Sequence, residues 1–433
     1  MANFFGTDGI RGEYGKTLTT DLAFSVGNAL TQIKNRPKVL IGSDTRLSAD
    51  ALKLSLCAGL VQGGGTVFDV GIIPTAAVSF LTKAKKCDFG VVITASHNPP
   101  EFNGIKIFDQ NGKKLSDGDE EFLEEFFKNT YTCQKCGKYF WSGQLQNEYS
   151  QHLVRSTKST FENLHICLDA SNGAAFRIAP RVFKLKKANV SAYFCKNNGG
   201  KINTNCGSLN VGVLAEKVAK THADVGFAFD GDADRVVAVS GSGEIFDGDK
   251  LLYILAKFMK DNGTLFANSV VGTSHTNSGI MVALNRRKIN LIRTDIGDKY
   301  VIEAMDKMNL SLGGEQSGHI IIKEHSQTGD GILTALQICE IMSRSGQTLD
   351  ELFDVKLIPQ INVNIPVKDK MKIINNERLN NLVSEISNKI SPAGRILVRA
   401  SGTEDKIRIM LEYFDCQKAQ EYVNQIKALI ETI

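Results

Sequence analysis

Asp230-Gly231-Asp232-Ala233-Asp234-Arg235 sets three carboxylates at alternate positions of one short turn. Charges that close repel strongly unless a cation lies between them. Donors that are all oxygen suit a hard cation, Mg2+ or Ca2+. An EF-hand loop is excluded, because its Gly and Glu positions are filled here by Arg235 and Gly241. Apolar runs flank the turn, Val225 to Phe229 before and Val236 to Val239 after. They read as strands and would bring the turn to a sheet edge rather than leave it as a solvated acidic loop. The turn therefore reads as a Mg2+ site with open positions for phosphate oxygen.

Three further motifs could carry chemistry. In Thr94-Ala95-Ser96-His97-Asn98-Pro99 an apolar strand delivers a hydroxyl to its carboxyl end, where open α/β sheets bind ligands. A hydroxyl nucleophile needs a base or a metal to activate it, and His97 adjoins Ser96. No Gly-x-Ser-x-Gly elbow surrounds the serine, which weakens a hydrolase reading. The same residues also suit a turn whose side chains satisfy the loop backbone. Gly313-Gly314-Glu315-Gln316-Ser317-Gly318-His319 offers carboxylate, hydroxyl and imidazole contacts for a polyol, on glycines that allow close approach. By itself it is equally an ordinary glycine-rich turn. Arg399-Ala400-Ser401-Gly402-Thr403-Glu404, with Arg408 beyond it, combines guanidinium forks, hydroxyls and an open backbone. That set suits a phosphate cradle, and also a plain polar hairpin.

These motifs need elements to hold them. Short apolar runs alternate with helix-period segments, the rhythm of β-α-β units on largely parallel strands. Strands are expected at 38–41, 66–70 and 89–93, with helices at 47–62 and 75–85. The rhythm restarts at 165–169 and continues through 190–194, a helix at 211–220 and a strand at 224–229. A third round covers 269–272, a helix at 278–287, a strand at 290–293 and a helix at 299–308. The last stretch differs: a strand at 360–367, a helix at 376–388, strands at 395–398 and 406–413, and a helix at 417–430. Four domains follow: 1–150 with the serine loop, 151–248 with the acidic loop, 249–359 with the glycine-rich loop, and a smaller α+β domain, 360–433, with the arginine loop. The polar stretch from Asn129 to Gln146 marks the first junction.

The 433 residues divide into 51 Lys+Arg against 47 Asp+Glu, with a formal net charge of +4 and 42% hydrophobic residues. Such near-neutrality gives no reason to expect nucleic acid, and no run of five basic residues exists. The short basic patches at Lys184 to Lys187 and Arg286 to Lys288 read as solvated helix surface. No apolar stretch approaches the ~20 residues of a membrane helix, and no secretory signal pattern opens the chain. Nine Cys, an odd number and mostly in apolar contexts, fit reduced thiols in a cytoplasm. Cys133 and Cys136 lack the second pair of a zinc site.

The four motifs, in this order and one per domain, resemble the α-D-phosphohexomutase superfamily over the whole chain. Phe5-Gly6-Thr7-Asp8-Gly9-Ile10-Arg11-Gly12 matches as well. That opening, Gln316 in the third loop and Gly297-Asp298-Lys299-Tyr300-Val301 are most similar to the bacterial amino-sugar branch of the superfamily. The resemblance implies three similar α/β domains with mixed sheets plus the smaller α+β domain, around one central cleft. It makes Ser96 the phosphoserine. Asp230, Asp232 and Asp234 would hold one Mg2+, with a phosphate oxygen on Ser96 completing the shell and Arg235 aimed at the same phosphate. A hard cation there neutralises charge that builds during phosphoryl transfer.

By the same resemblance Glu315 and Ser317 bind sugar hydroxyls, and Arg399, Ser401, Gly402 and Thr403, with Arg408, grip the phosphate that is not transferred. Arg11 and Lys106 line the active site, and Lys106 and His319 are candidates for acid–base work. The implied reaction interconverts glucosamine 6-phosphate and glucosamine 1-phosphate through glucosamine 1,6-bisphosphate. A hinged fourth domain would let the intermediate turn over while water is excluded. The same motifs would serve mannose or glucose phosphates, and the acidic cluster alone would serve a magnesium-dependent sugar phosphatase. A small sugar phosphate, rather than nucleic acid or membrane, is the expected partner, and a homodimer is compatible.

The chain departs from the family in its arginine loop. Ala400 and Asp405 replace two prolines usual there, so a less rigid loop with an added negative charge is expected. His275 and Thr276 stand where relatives commonly show Met and Ser, and His275 reads as a domain-packing or cleft-edge residue.

Overall fold

The computed structural model describes residues 4–6, 8–391, 393–401 and 405–433. The first sheet has seven strands in the order Phe5–Gly6, Gly9–Glu13, Phe102–Phe108, Phe89–Ile93, Lys38–Ser43, Thr66–Ile72 and Lys138–Trp141. The last four run parallel, and the first three join antiparallel. Val39, Ile41, Val67, Val91, Ile93, Ile105 and Ile107 recur at alternate positions and bury on one face. The helices Thr20–Ile33 and Ala49–Gln62 cover that face with Val26, Leu30, Leu52, Leu56 and Leu60. Each such side chain contributes about 1.5–3 kcal/mol when fully buried.

The second sheet is ordered Ile245–Phe246, Val236–Ser240, Val225–Phe229, His165–Asp169, Asn189–Tyr193. Val225–Phe229 and Val236–Ser240 are buried along their whole length, which explains their unbroken apolar sequence. They pair antiparallel, so the acidic turn between them is a hairpin tip. The third sheet runs Asn290–Thr294, Ser269–Thr273, Leu312–Gly314, Ile320–Ile322. The fourth is antiparallel, with Lys406–Glu412 between Gln360–Pro366 and Arg395–Ala400, and packs on the helices Glu377–Ile390 and Cys416–Glu431. Three α/β layers with mixed sheets and a smaller α+β layer are thus present, as the sequence predicts.

Two compact units arise: Met1–Thr273 with Leu291–Asp354, and Ser274–Asn290 with Val355–Ile433. The helix Ser278–Arg286 falls in the second unit. Asn277 at its N-cap donates to the Ile358 carbonyl at 2.8 Å and accepts from the Ile358 N–H at 3.1 Å. Ser278 Oγ donates to the buried Glu412 carboxylate at 2.6 Å.

Some elements escape the sequence rhythm. The helices Thr20–Ile33, Gly248–Asp261 and Gly331–Ser345 lie outside the predicted segments. Within the polar stretch that marks the first junction, Lys138–Trp141 is a strand that pairs in parallel with Thr66–Ile72. Its Tyr-Phe-Trp run has high β propensity, and Tyr139 Oη donates to buried Asp69 at 2.7 Å. Among the described residues all nine cysteines are free thiols, Cys133 and Cys136 included. No described helix is long and apolar enough to cross a membrane.

Candidate active site

Ser96 sits just past the buried strand Phe89–Ile93, with φ at +51°, in the left-handed region. A non-glycine residue there costs about 1–3 kcal/mol and persists only when its surroundings hold it. Arg46, buried itself, supplies that hold. Its guanidinium donates to the carbonyls of Ser96 at 3.0 Å, Asn98 at 2.8 Å and Phe102 at 2.7 Å, and also to that of Pro99. Asp44 fixes Arg46 through Nε at 3.0 Å, and Thr94 Oγ1 donates to Asp44 at 2.7 Å while accepting the Ser96 N–H at 3.0 Å. Asn203 Nδ2 closes the turn from the second sheet's side, donating to the Ser96 carbonyl at 2.8 Å.

The Ser96 hydroxyl donates to Asp230 Oδ2 at 2.6 Å. His97 Nδ1 lies 3.3 Å from the same hydroxyl, but Arg235 Nη1 points at that nitrogen from 3.2 Å. A guanidinium only donates, so Nδ1 is an acceptor and the imidazole is neutral. Burial, then the charges of Arg235 and Arg11, push His97 down to about 3. The partner of the serine proton is therefore Asp230 and not its sequence neighbour.

The three aspartates are buried, and their ligand oxygens lie within 4.8 Å of one another. Asp230 commits both oxygens, Oδ2 to the Ser96 hydroxyl and Oδ1 to the Arg235 backbone N–H at 3.2 Å, whereas Asp232 and Asp234 each commit one. Asp232 Oδ2 accepts from Thr75 Oγ1 at 2.6 Å and Lys106 Nζ at 3.0 Å, and Asp234 Oδ2 accepts from Lys106 Nζ at 3.0 Å. Asp232 Oδ1 and Asp234 Oδ1 are buried and have no hydrogen-bond partner. Two orphaned buried anionic oxygens beside a third carboxylate are the donor set a Mg2+ ion requires. Burial first, then the charges of Asp234 and Asp232, raises Asp230 well above the usual carboxylate range. Burial also works to raise Asp234, but Lys106, then His319 and Arg235, overcome it and hold Asp234 well below that range.

Lys106 is a buried cation at the centre of the cluster. Its ammonium lies 3.0 Å from Asp232 and Asp234 and 3.1 Å from Asp8. Burial opposes its charge, but Asp232, Asp234 and Asp8 raise it well above the ordinary lysine value, so it stays protonated. Arg11, on the neighbouring antiparallel strand Gly9–Glu13, donates to Asn98 Oδ1 at 3.1 Å and pairs with Asp8. Lys114 bridges Asp8 to Asp298.

The Glu315 loop turns between Leu312–Gly314 and Ile320–Ile322 and lies against the acidic hairpin. Val236 N–H donates to the Gly318 carbonyl at 3.2 Å. Gly318 has φ +92°, and a Cβ there would stand 2.1 Å from the Val236 carbonyl, so only glycine fits. Glu315 Oε1 accepts from Gly297 N–H at 3.1 Å, and burial raises its carboxyl. Ser317 is exposed at the loop tip. His319 is buried, with Nδ1 3.7 Å from Asp234 Oδ2, and its Nε2 accepts from Gly329 N–H at 3.0 Å. Burial opposes the imidazolium, but Asp234, Asp298 and Glu315 raise His319.

In the second unit Arg399 and Arg408 face each other across Arg395–Ala400 and Lys406–Glu412. Burial, then the Arg408 charge, lowers Arg399. Arg399 Nε and Ser401 Oγ are buried without a hydrogen-bond partner. Two cations side by side, with the unpartnered Arg399 Nε and Ser401 Oγ next to them, suit an anion. Gly402 and Thr403 lie outside the described residues. Ala400 ends its strand paired with Ile407, and Asp405 lies 3.7 Å from Lys370 Nζ. His275 belongs to this unit, where burial and then Arg399 and Arg395 push it down to about 4.

Ser96, Lys106, Arg11, Arg235, Glu315, His319 and the three aspartates thus share the first unit. Sequence reasoning missed Asp44, Arg46, Thr75, Lys114 and Asn203. An Asp-x-Arg directly after the strand Lys38–Ser43 is a usable signal for the first two, since it places a charge pair at the carboxyl edge beside Ser96.

Fold and site define a phosphohexomutase scaffold. Residues 2–133 match the phosphoglucomutase/phosphomannomutase α/β/α domain I, 147–243 domain II, 247–357 domain III and 363–429 the C-terminal domain. The chain belongs to this family, within the α-D-phosphohexomutase superfamily. It is 42% identical to the phosphoglucosamine mutase of Shouchella clausii and 42% identical to that of Caldanaerobacter subterraneus subsp. tengcongensis, covering 100% of this chain and 99% of each relative. Among solved structures, a phosphoglucomutase/phosphomannomutase family protein from Burkholderia thailandensis superposes with a TM-score of 0.84 at 24% identity, over 100% of this chain and 98% of its own. An N-acetylphosphoglucosamine mutase from Aspergillus fumigatus, in complex with GlcNAc-6P and magnesium, has the same fold, with a TM-score of 0.69 at 16% identity over 98% and 95%.

Proposed function

We propose that this protein is a phosphoglucosamine mutase that interconverts glucosamine 6-phosphate and glucosamine 1-phosphate through a phosphoserine at Ser96. The observation that carries the reading is the Ser96 hydroxyl, 2.6 Å from Asp230 inside a buried three-aspartate cluster. Its full-length relatives with that name support the choice of sugar.

In this reading phosphorylated Ser96 passes its phosphoryl group to the free hydroxyl of the substrate. The P–O bond to Ser96 Oγ breaks as the bond to the sugar oxygen forms, and the proton of the sugar hydroxyl ends on Ser96 Oγ, giving glucosamine 1,6-bisphosphate and the free serine. The bisphosphate turns over in place, and its other phosphoryl group returns to Ser96. Asp230, Asp232 and Asp234 would hold Mg2+, which when bound neutralises charge on the transferring phosphoryl group. Arg235 and Lys106 add fixed positive charge, and Arg11 faces the same loop through Asn98. Glu315 and Ser317 bind sugar hydroxyls. Arg399, Ser401, Gly402, Thr403 and Arg408 hold the phosphate that is not moving.

Of the two acid–base candidates, Lys106 has the better geometry. It holds a proton between the carboxylates, whereas His319 spends Nε2 on the Gly329 N–H. We assign the four domains to 1–150, 151–248, 249–359 and 360–433. The reaction belongs to amino-sugar nucleotide synthesis in the cytoplasm, with a small sugar phosphate as partner and a homodimer as a compatible assembly.

Assay of the phosphorylated protein on glucosamine, mannose and glucose phosphates tests the reading. Glucosamine 1-phosphate should turn over fastest. Faster turnover of mannose 1-phosphate or glucose 1-phosphate would make the protein a phosphomannomutase or phosphoglucomutase, and net release of inorganic phosphate would make it a sugar phosphatase.

A further inference from the structure

The two carboxylate oxygens of Asp232 have different surroundings. Oδ2 takes hydrogen bonds from Thr75 and Lys106, while Oδ1 is buried and has none. Thr75 is fully buried and opens the helix Thr75–Ala84 of the first sheet's layer. It grips Asp232 twice, by Oγ1 to Oδ2 at 2.6 Å and by its backbone N–H to the Asp232 carbonyl at 3.0 Å. Helix starts leave such N–H groups unsatisfied, and Pro74 before it offers no side-chain cap. The positive end of the helix therefore faces the acidic hairpin at Asp232.

An aspartate's terminal torsion is broad and nearly two-fold, so its oxygens exchange places unless one of them is held. Lys106 reaches the same oxygen but divides its three donors among Asp232, Asp234 and Asp8, whereas the Thr75 hydroxyl serves Asp232 alone. Resting on the magnesium reading above, we propose that Thr75 is a positioning residue for the divalent cation. Its hydroxyl fixes Oδ2 of Asp232 and leaves the unpartnered Oδ1 as the oxygen that would take the ion. The contact also ties the helix that follows the strand Thr66–Ile72 to the acidic hairpin, so that the serine layer and the cation site are registered to each other.

Mn2+ binding, followed by the loss of the free ion's EPR signal, tests this without reference to turnover. Hydrogen-bond partners of metal ligands are typically worth 10–100-fold in affinity. Wild type and Thr75→Ser should bind Mn2+ alike. Thr75→Val, and Thr75→Ala, which adds no methyl against the seam, should each bind about tenfold or more weakly. On an Asp232→Asn background Thr75→Val should cost nothing further. Binding as tight as wild type in both Thr75→Val and Thr75→Ala overturns the inference alone. A wild-type protein that binds no Mn2+ overturns the cation reading and the inference with it.

Discussion

The guanidinium of Arg46 donates to the backbone carbonyl of Ser96 at 3.0 Å, from behind the loop that presents the serine hydroxyl. With the other carbonyls it reaches, and Asp44 on its Nε, it fixes a left-handed residue at the point where the hydroxyl must face Asp230. Arg46→Met should leave Asp44 buried without its counter-ion. Breaking such a pair costs about 3–5 kcal/mol. Urea unfolding should show that loss, with turnover falling in the remaining folded protein. Arg46→Lys should recover little, because an ammonium cannot match the planar fork. Wild-type stability and turnover in Arg46→Met would contradict this role.

Asp232→Asn removes one of the two orphaned anionic oxygens from the cluster. It should raise the magnesium concentration needed for half-maximal turnover by about tenfold or more. A magnesium titration of activity checks this. An unchanged requirement would move the ion elsewhere.

Arg399 has a buried Nε without a partner and a second arginine opposite it. Losing a hydrogen bond to a charged group costs about 1.5–3 kcal/mol, roughly tenfold or more in affinity. Arg399→Ala should therefore raise KM for glucosamine phosphates by about that factor. Phosphate content at Ser96, read by intact mass, should be unchanged. A fall in kcat alone would place Arg399 in the transfer step instead.

Asp169 ends the strand His165–Asp169, fully buried, and accepts N–H bonds from Ser171 and Gly207 at 2.8 Å. Burial pushes its carboxyl up to about 6. The folded state thus binds this proton more tightly than the unfolded chain does. The stability it contributes is present below the ordinary value of ~3.9 and is lost as pH rises through about 6. The stability of wild type minus that of Asp169→Asn, from urea unfolding, should fall by ~1–3 kcal/mol between about pH 4 and pH 7. A pH-independent difference would contradict this assignment.

The legible parts of the sequence share a cause. Val225 to Phe229 and Val236 to Val239 are fully buried strands, so their apolar runs are continuous and the acidic turn between them stands out. Ser96 was legible for the same reason, at the end of Phe89–Ile93. The helix Gly331–Ser345 was not, because it is buried on nearly every side and lacks the one-sided period that reveals a surface helix. Thr75, Asn203 and Lys114 act on residues far away in the chain, at 157, 107 and 184 positions for their bonds to Asp232, Ser96 and Asp298. No local pattern encodes such a partner. His97 misled for the opposite reason. Adjacency to Ser96 suggested a base, but Arg235 arrives from the acidic hairpin to occupy its acceptor nitrogen.

The proposed function turns on phosphoryl transfer from Ser96 to the sugar. The direct measurement loads the protein with radiolabelled phosphate on Ser96 and mixes it with excess unlabelled glucosamine 6-phosphate. The label should leave the protein and appear in glucosamine 1,6-bisphosphate and then in glucosamine monophosphates, with Ser96→Ala carrying none at the start. Label that stays on the protein, or that appears as inorganic phosphate, would contradict the account.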